Sequence, residues 1–173
     1  MKKSILISIR PEGVAKILNG EKTIEIRKTA PKCDLPIDVY IYCTKKGHFV
    51  QEEMESVDYT GWYDYPTGVY ATFSKEEEMR HGRPLNGKVV AKFTLHKVDW
   101  LDIENARRLL DAACLTAEDA MSYARVNNDP DDLCCQLCAW NISDLEIFDL
   151  SKDLNEFEVK ERAKGWQFME VEE

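Results

Sequence analysis

The sequence predicts a mixed α/β protein in which about six short strands form a curved sheet or small β-barrel with peripheral helices. Six or seven segments have the alternating or β-branched pattern of strands, and helical segments separate only some of them. The sequence contains no long βαβ repeat, no glycine-rich phosphate loop and no nucleophile elbow. A mixed sheet or barrel therefore fits this pattern better than a doubly wound parallel sheet.

The strands alternate with turns along the whole chain. The first run, ILISIR, is rich in β-branched residues and ends before Pro11, while IDVYIYCTK alternates apolar and polar residues. The segment from 87 to 101 is long enough to bend within one strand. The predicted strands are 5–10, 22–27, 37–45, 68–74, 87–101, 139–150 and 165–171.

Two regions have helical patterns. Residues 11–20 begin with a proline, which suits a first helical turn, and end with Gly20, which suits a helix C-terminus. Residues 103–126 contain two consecutive helical segments. In the second of these, Thr116 and Asp119 have the spacing of a helix N-cap with an acid three residues later.

The 173 residues favour a single domain, 1–173. The first 50 residues carry ten Lys or Arg and five Asp or Glu, a net charge of +5, within a chain whose total is −9. This uneven distribution predicts one local anion-attracting face on an acidic body, although a solvated basic face would look the same. The first apolar run is too short for a signal peptide or a membrane span, so we expect a cytoplasmic protein without membrane contact.

The six cysteines suit thiols better than a disulfide framework in a cytosolic protein. Cys135 and Cys138 form a C-x-x-C pair, which is half of a typical zinc site. The sequence has no second such pair and no closely spaced histidines that would complete a tetrahedral set. We therefore expect no metal and no cofactor.

Residues 46–85 differ from their surroundings and are predicted to be an insertion or elaborated loop. Within this segment, residues 51–68 mix acidic residues with four aromatic ones and have weak periodicity. Such a segment could be a lid whose aromatics stack on a base or sugar, or a surface loop that covers one end of the sheet. We favour the covering loop. The aromatic residues in question are Tyr59, Trp62, Tyr63 and Tyr65.

The stretch NGEKTIEIRK, residues 19–28, places a lysine, a glutamate and an arginine close together directly after a helix-ending glycine. Strand alternation puts Glu25 and Arg27 on one face, and the turn at Gly20 brings Lys22 beside them. Arginine offers a planar fork for phosphate or carboxylate, and glutamate accepts hydrogen bonds or acts as a base. A surface ion-pair cluster without a ligand would have the same spacing.

The segment SIRPEGVAKILNGEKTIEIRKTAPK resembles the start of an ASCH domain. Its G-x-K-x-x-E-x-R pattern, from Gly20 to Arg27, matches the signature of that family at every fixed position. Later segments, including LNGKVVAKFTL and AWNISDLEIFDL, are similar to members from bacteria and phages, so the likeness covers most of the chain. The resemblance implies a PUA-like barrel with a cleft whose floor is formed by the signature residues.

The resemblance also implies binding of single-stranded RNA or a nucleotide-like small molecule. In that account Lys22 and Arg27 hold phosphate, Glu25 contacts an exocyclic amine or orients Arg27, and an aromatic side chain supplies stacking. The predicted ligand-binding residues are Arg10, Lys22, Thr23, Glu25, Arg27, Lys28, Tyr42 and Trp166.

Two other functions are compatible with the resemblance. Some ASCH proteins are small hydrolases, which act on a modified nucleoside such as acetylated cytidine or on single-stranded RNA; here Lys22 would be nucleophile or base and Glu25 the acid/base. The amidohydrolase branch has threonine where this chain has Glu25, so its proton-accepting partner would differ. A protein-interaction module of a mobile element is the third alternative.

Overall fold

The computed structural model describes residues 1–58, 62–74, 84–125, 133–162 and 164–172, with side chains described outside 55–65. The chain has a mixed composition of 44% strand and 19% helix, which confirms the predicted α/β class. No helix within these ranges combines the length and apolar character needed to cross a bilayer.

Ten strands and three α-helices are present in the described ranges. A short 3₁₀ helix, Leu154–Phe157, precedes the last strand. The helices are α1 Pro11–Leu18, α2 Ala106–Ala112 and α3 Ala117–Ala124. The strands are β1 Lys2–Ile9, β2 Ile24–Arg27, β3 Ile37–Cys43, β4 Phe49–Asp58, β5 Trp62–Phe73, β6 Val89–Leu95, β7 Val98–Trp100, β8 Cys138–Asn141, β9 Ser143–Lys152 and β10 Trp166–Val171.

The strands form three hydrogen-bonded sheets. The largest has the order β10-β1-β3-β6-β9, in which β1 and β3 are parallel and the other neighbours antiparallel. A second sheet has the antiparallel order β2-β8-β7, and β4 and β5 form a separate hairpin. The described strands therefore do not close into the predicted barrel, because β2, β7 and β8 pair with one another and not with an edge of the large sheet.

The large sheet buries side chains on both faces. Ile5 and Ile7 of β1 point to the main core, which also contains the apolar side of α1. Leu6, between them, points to the opposite face and packs in a smaller cluster with Tyr42 and Phe157. The run of six buried residues at the end of β1 is therefore the pattern of a central strand covered on both sides.

A second apolar core lies under α2 and α3. Ile24 and Ile26 of β2 pack there with Leu109, Leu110 and other residues of the segment 101–139. Strand β2 consequently has this core on one face and the main core on the other. This arrangement makes β2 a buried strand, although its sequence alternates between apolar and charged residues.

Two of the predicted strands are each divided between sheets. Residues 87–101 form β6 in the large sheet and β7 in the small one, and residues 139–150 are divided between β8 and β9 in the same way. The amide of Ile142 donates to the Thr23 carbonyl at 3.0 Å, and Asp144 has a positive φ of 50°. This local turn carries the chain from one sheet to the other.

The 46–85 segment contains the hairpin β4–β5, and its interpretation as an insertion or elaborated loop stays a prediction. Asn19, at the end of α1, attaches the hairpin because its side chain donates to the Tyr70 carbonyl and accepts from the Tyr70 amide, both at 2.8 Å. Tyr59 and the side chains of Trp62, Tyr63 and Tyr65 lie outside the described part, so the stacking lid stays a prediction.

Candidate functional site

The turn after α1 places Lys22 at the start of β2. Gly20 adopts φ +76°, a left-handed conformation that glycine takes without steric cost. The amides of Glu21 and Lys22 then both donate to the Lys16 carbonyl, and the Thr23 amide donates to the Ala112 carbonyl at the end of α2. The chain is therefore fixed on both sides of Lys22 before the strand begins.

Strand β2 directs its charged side chains away from the core under the helices. Glu25 lies opposite Trp140 and Arg27 opposite Cys138 in the antiparallel pairing with β8. Trp140 and Cys138 belong to the main core, where both are fully buried. The predicted shared face of Glu25 and Arg27 is thus present, and it is directed toward the interior of the protein.

The three charged residues form one ion-pair cluster. Oε2 of Glu25 lies 3.1 Å from Nζ of Lys22, and Oε1 lies 2.8 Å from Nη2 of Arg27. The side chains of Lys22, Glu25 and Arg27 are 8%, 9% and 11% exposed. The sequence-based alternative of exposed surface charges is therefore wrong, since the packing of α2 and β8 around β2 covers the cluster.

Backbone carbonyls complete the coordination of both cations. Lys22 Nζ donates to the Ala113 carbonyl at 3.0 Å, just beyond the end of α2, where a positive charge is favoured by the helix dipole. Arg27 Nη2 donates to the Ser8 carbonyl at 2.9 Å. Nε of Arg27 is buried and has no hydrogen-bond partner among the described residues.

The cluster has more positive than negative charge. Two cations share the single carboxylate of Glu25, and the described residues place no second carboxylate within ion-pair distance of Lys22 or Arg27. The cluster therefore carries one excess positive charge in a setting with little water. Such a charge is costly to bury without a partner and attracts an anion more strongly than an exposed charge does.

Trp166 lies near the Arg27 end of this cluster. It pairs with Ile7 in the sheet, and the Ser8 amide donates to the carbonyl of Gly165, the residue before it. The indole N–H donates to the Thr29 hydroxyl at 3.0 Å, and the ring packs 5.5 Å from that of Trp140. Trp166 is therefore partly buried at the edge of the main core, and it lies beside the ion-pair cluster.

Tyr42 lies on the other face of the large sheet. It is adjacent to Ser8 in the parallel pairing of β1 and β3, but its side chain packs with Leu6 in the smaller cluster. It also lines an open cavity of about 540 Å³ together with Lys45. Burial raises the pKa of the Tyr42 hydroxyl. The large sheet therefore lies between the Tyr42 side chain and the Trp166 side chain, which point to opposite faces.

The three other predicted residues are exposed. Arg10 precedes the first turn of α1, and Thr23 contributes its backbone to the packing of β2 against α2. The Lys28 ammonium lies 5.0 Å from the centre of the Tyr123 ring of α3. None of the three has a described side-chain contact with the ion-pair cluster.

The sequence did not identify the carbonyl groups of Ser8 and Ala113 as contacts of the cluster. No sequence signal could have done so, because a carbonyl is present in every residue. Cys138 is also close: burial raises the pKa of its thiol, an effect that the positive charge of Arg27 partly opposes. The environment of the cluster depends on tertiary packing as much as on the signature itself.

No family model matches the chain, and no curated protein matches it. Solved structures of an ASCH protein from Zymomonas mobilis do match. One has a TM-score of 0.60 and 15% identity, covering 96% of this chain and 87% of that chain. A tyrosine-to-phenylalanine mutant of that protein gives a TM-score of 0.60 at 14% identity and covers 96% of this chain and 90% of its own. A serine-to-alanine mutant gives a TM-score of 0.61 at 15% identity and covers 98% of this chain and 89% of its own. The predicted ASCH resemblance is thereby confirmed at the level of the fold, and this chain has the fold of an ASCH protein over nearly its whole length.

Proposed function

We propose that the protein binds an anionic nucleotide ligand, single-stranded RNA or a nucleotide-like small molecule, at the cluster of Lys22, Glu25 and Arg27. The observation that carries the proposal is the excess positive charge of this cluster at 8–11% side-chain exposure. A phosphate group would supply the missing negative charge, and guanidinium and ammonium groups are the usual protein partners of phosphate.

A purely structural role explains this cluster poorly. Buried ion pairs contribute little net stability compared with apolar residues of similar volume, because each charge loses its hydration. The Arg27 Nε adds a further unfavourable contribution, since a buried donor without a partner costs roughly 1–3 kcal/mol. Natural proteins leave buried polar groups unsatisfied mainly at functional sites.

The fold supports a nucleotide class of ligand. The chain shares the fold of an ASCH protein, and the ASCH resemblance implies RNA binding. Trp166 lies beside the Arg27 end of the cluster, with its N–H bonded to Thr29 and one face near Trp140. In our proposal Arg27 and Lys22 attract the phosphate and Trp166 borders the ligand.

The geometry supports binding more strongly than lysine-dependent hydrolysis. A lysine nucleophile has to give up its proton, whereas Lys22 Nζ contacts the Glu25 carboxylate at 3.1 Å and donates to the Ala113 carbonyl at 3.0 Å. Both contacts use Nζ as a hydrogen-bond donor. Hydrolysis by this site would show itself as consumption of the RNA or nucleoside during the binding experiment.

The acidic body of the protein predicts a short ligand contact. The chain has a net charge of −9, so an extended nucleic-acid backbone would meet repulsion outside the site. With one or two phosphate contacts, the slope of log affinity against log salt for a single strand should be no steeper than about −1.5.

The test is a binding titration of a fluorescent single-stranded RNA oligonucleotide at low salt, with a nucleoside monophosphate and the matching DNA strand as competitors. Arg27→Met, which removes the excess charge but leaves the Lys22–Glu25 pair, should abolish binding. Arg27→Lys should weaken it at least about tenfold, because the planar fork is lost. The matched control is Arg108→Met, an exposed arginine on α2, which should bind as wild type does.

Two results would contradict the proposal. Equal RNA affinity in wild type and in folded Arg27→Met would show that the cluster does not contact the ligand. Consumption of the RNA or of a modified nucleoside by wild type, lost in Lys22→Met, would replace binding by hydrolysis as the function.

A further inference from the structure

We propose that Cys134 and Cys135 are a reversible oxidation site, a vicinal dithiol that a small-molecule disulfide of the glutathione class converts to an intramolecular disulfide. This inference is independent of the nucleotide ligand. It rests on the loop between Leu133 and Leu137, which enters β8 directly.

The two sulfurs are already in contact. Sγ of Cys134 and Sγ of Cys135 are 3.7 Å apart, and both residues are exposed. Adjacent residues usually direct their side chains away from each other, but Cys135 has a positive φ of 61°, which turns its side chain to the same side. Disulfide closure needs the sulfurs to approach by less than about 2 Å.

The loop is held firmly on both sides of the pair. The Cys135 amide donates to the Leu101 carbonyl at 2.8 Å, and the Leu101 amide donates to the Leu137 carbonyl at 3.0 Å. Leu101, Leu133 and Leu137 are buried in the core under α2 and α3. The dithiol is therefore presented to solvent from a fixed backbone.

The reaction balances as two successive exchanges. The thiolate of one cysteine attacks a sulfur of the small disulfide, which breaks its S–S bond, forms a mixed disulfide and releases one small thiol. The neighbouring cysteine loses its proton and attacks the protein sulfur of the mixed disulfide, releasing the second small thiol. The protein pair loses two electrons and two protons, and the small disulfide gains them.

The product should be easy to reduce. Consecutive Cα atoms are about 3.8 Å apart across a trans peptide, which is below the roughly 4.4–6.8 Å of ordinary disulfides. A strained and exposed disulfide has a relatively oxidising potential and is the reversible kind. Closure would also change the backbone at Cys135 and with it the hydrogen bond to Leu101.

The other four cysteines lack solvent exposure, a second sulfur in contact, or both. Cys43 and Cys138 are fully buried, and burial raises the pKa of Cys43 to about 12 and that of Cys138 above its ordinary value. Cys33 and Cys114 are partly buried. Cys114 directs its sulfur to the Glu21 carbonyl at 3.4 Å.

The test is mass spectrometry of the folded protein after incubation with oxidised glutathione. Wild type should lose two hydrogens, with the cross-link mapped to Cys134 and Cys135, and dithiothreitol should restore the original mass. Cys134→Ser and Cys135→Ser should instead keep one glutathione adduct on the remaining thiol. Cys114→Ser, the matched control, should close the disulfide as wild type does.

The proposal is overturned if wild type keeps stable glutathione adducts at both positions, if the cross-link joins other cysteines or two chains, or if neither thiol reacts. Binding of phenylarsine oxide, a probe that needs two neighbouring thiols, gives a second readout. One equivalent of phenylarsine oxide should bind to wild type and to Cys114→Ser, and none should bind to Cys134→Ser or Cys135→Ser. Binding to either of these two variants, or no binding to wild type, also overturns the proposal.

Discussion

The Glu25 carboxylate uses one oxygen for each of two largely buried cations, Lys22 and Arg27. The alternation of β2 was sufficient to predict that Glu25 and Arg27 share a face. It could not predict that this face is directed inward, because that depends on β8, which is more than a hundred residues away in the sequence. The signature therefore specifies which charged groups contact one another, and the fold determines how deeply they are buried.

Replacing Glu25 should destabilise the protein strongly. Glu25→Gln leaves two cations without a counter-charge in a low-dielectric environment, so the free energy of unfolding should fall by about 3 kcal/mol. Urea denaturation followed by circular dichroism measures this. The exposed Glu170→Gln should change the value by no more than about 0.5 kcal/mol. A similarly small change for Glu25→Gln would mean that water reaches the cluster.

The cysteines should differ in alkylation by iodoacetamide at pH 8. Cys134 and Cys135 are exposed and should react, while Cys43 should not, because burial raises the pKa of its thiol to about 12. The raised pKa means that burial of this thiol stabilises the fold below its unfolded pKa of about 8.5, a contribution that declines as the pH rises from there toward 12. Mass mapping that finds Cys43 modified in the native protein would contradict this.

At the scale of elements, several features could be predicted from local pattern. Pro11 at the start of α1, Gly20 after its end and the Thr116–Asp119 capping box are all in place. The division of residues 139–150 between two sheets was not predictable in this way, because both halves have strand character and the turn at Ile142 is set by its bond to Thr23.

Removing the cap of α3 should have a moderate effect. The Thr116 side chain accepts from the Asp119 amide at 3.1 Å, so Thr116→Ala should lower the free energy of unfolding by about 1 kcal/mol. Thermal unfolding of Thr116→Ala and of Thr116→Ser, which keeps the hydroxyl, measures the effect. Equal loss in both variants would show that the methyl group, not the cap, is responsible.

The effect of the cap should depend on pH. Hydrogen bonds from Thr116 lower the pKa of Asp119, so the stabilisation is present above the unfolded carboxyl pKa of about 3.9 and is lost as the pH falls through the lowered folded value. The difference between wild type and Thr116→Ala should therefore shrink below about pH 4. If the difference in stability stays constant down to pH 2, the Asp119 carboxylate does not contribute to the cap.

The hairpin β4–β5 should depend on Asn19. Its side chain makes two hydrogen bonds to the Tyr70 backbone, so Asn19→Ala should lower stability by roughly 1–3 kcal/mol. Hydrogen exchange should accelerate at residues 49–54 and 66–73 and stay unchanged in β1. Equal acceleration in the hairpin and in β1 would indicate loss of the whole fold. No acceleration in the hairpin would show that other contacts attach it.

For the whole molecule, the mixed α and β composition and the ASCH likeness could be predicted, whereas the number of cores could not. Helices α2 and α3 cover one face of β2 with their own apolar cluster, and the main core covers the other. Which sheet each strand joins is a long-range property, and period-two patterns carry no information about it. The basic first third likewise indicated an anion site without showing that its central charges are buried.

The most direct measurement of the central claim is the NMR signal of the Arg27 Nε–H group during titration with single-stranded RNA or a nucleoside monophosphate. This donor has no hydrogen-bond partner among the described residues, and it lies within the positively charged cluster. We predict a saturable shift of this signal, with the Nε–H of the exposed Arg108 unchanged. Ligand binding that saturates while the Arg27 signal stays in place would contradict the account.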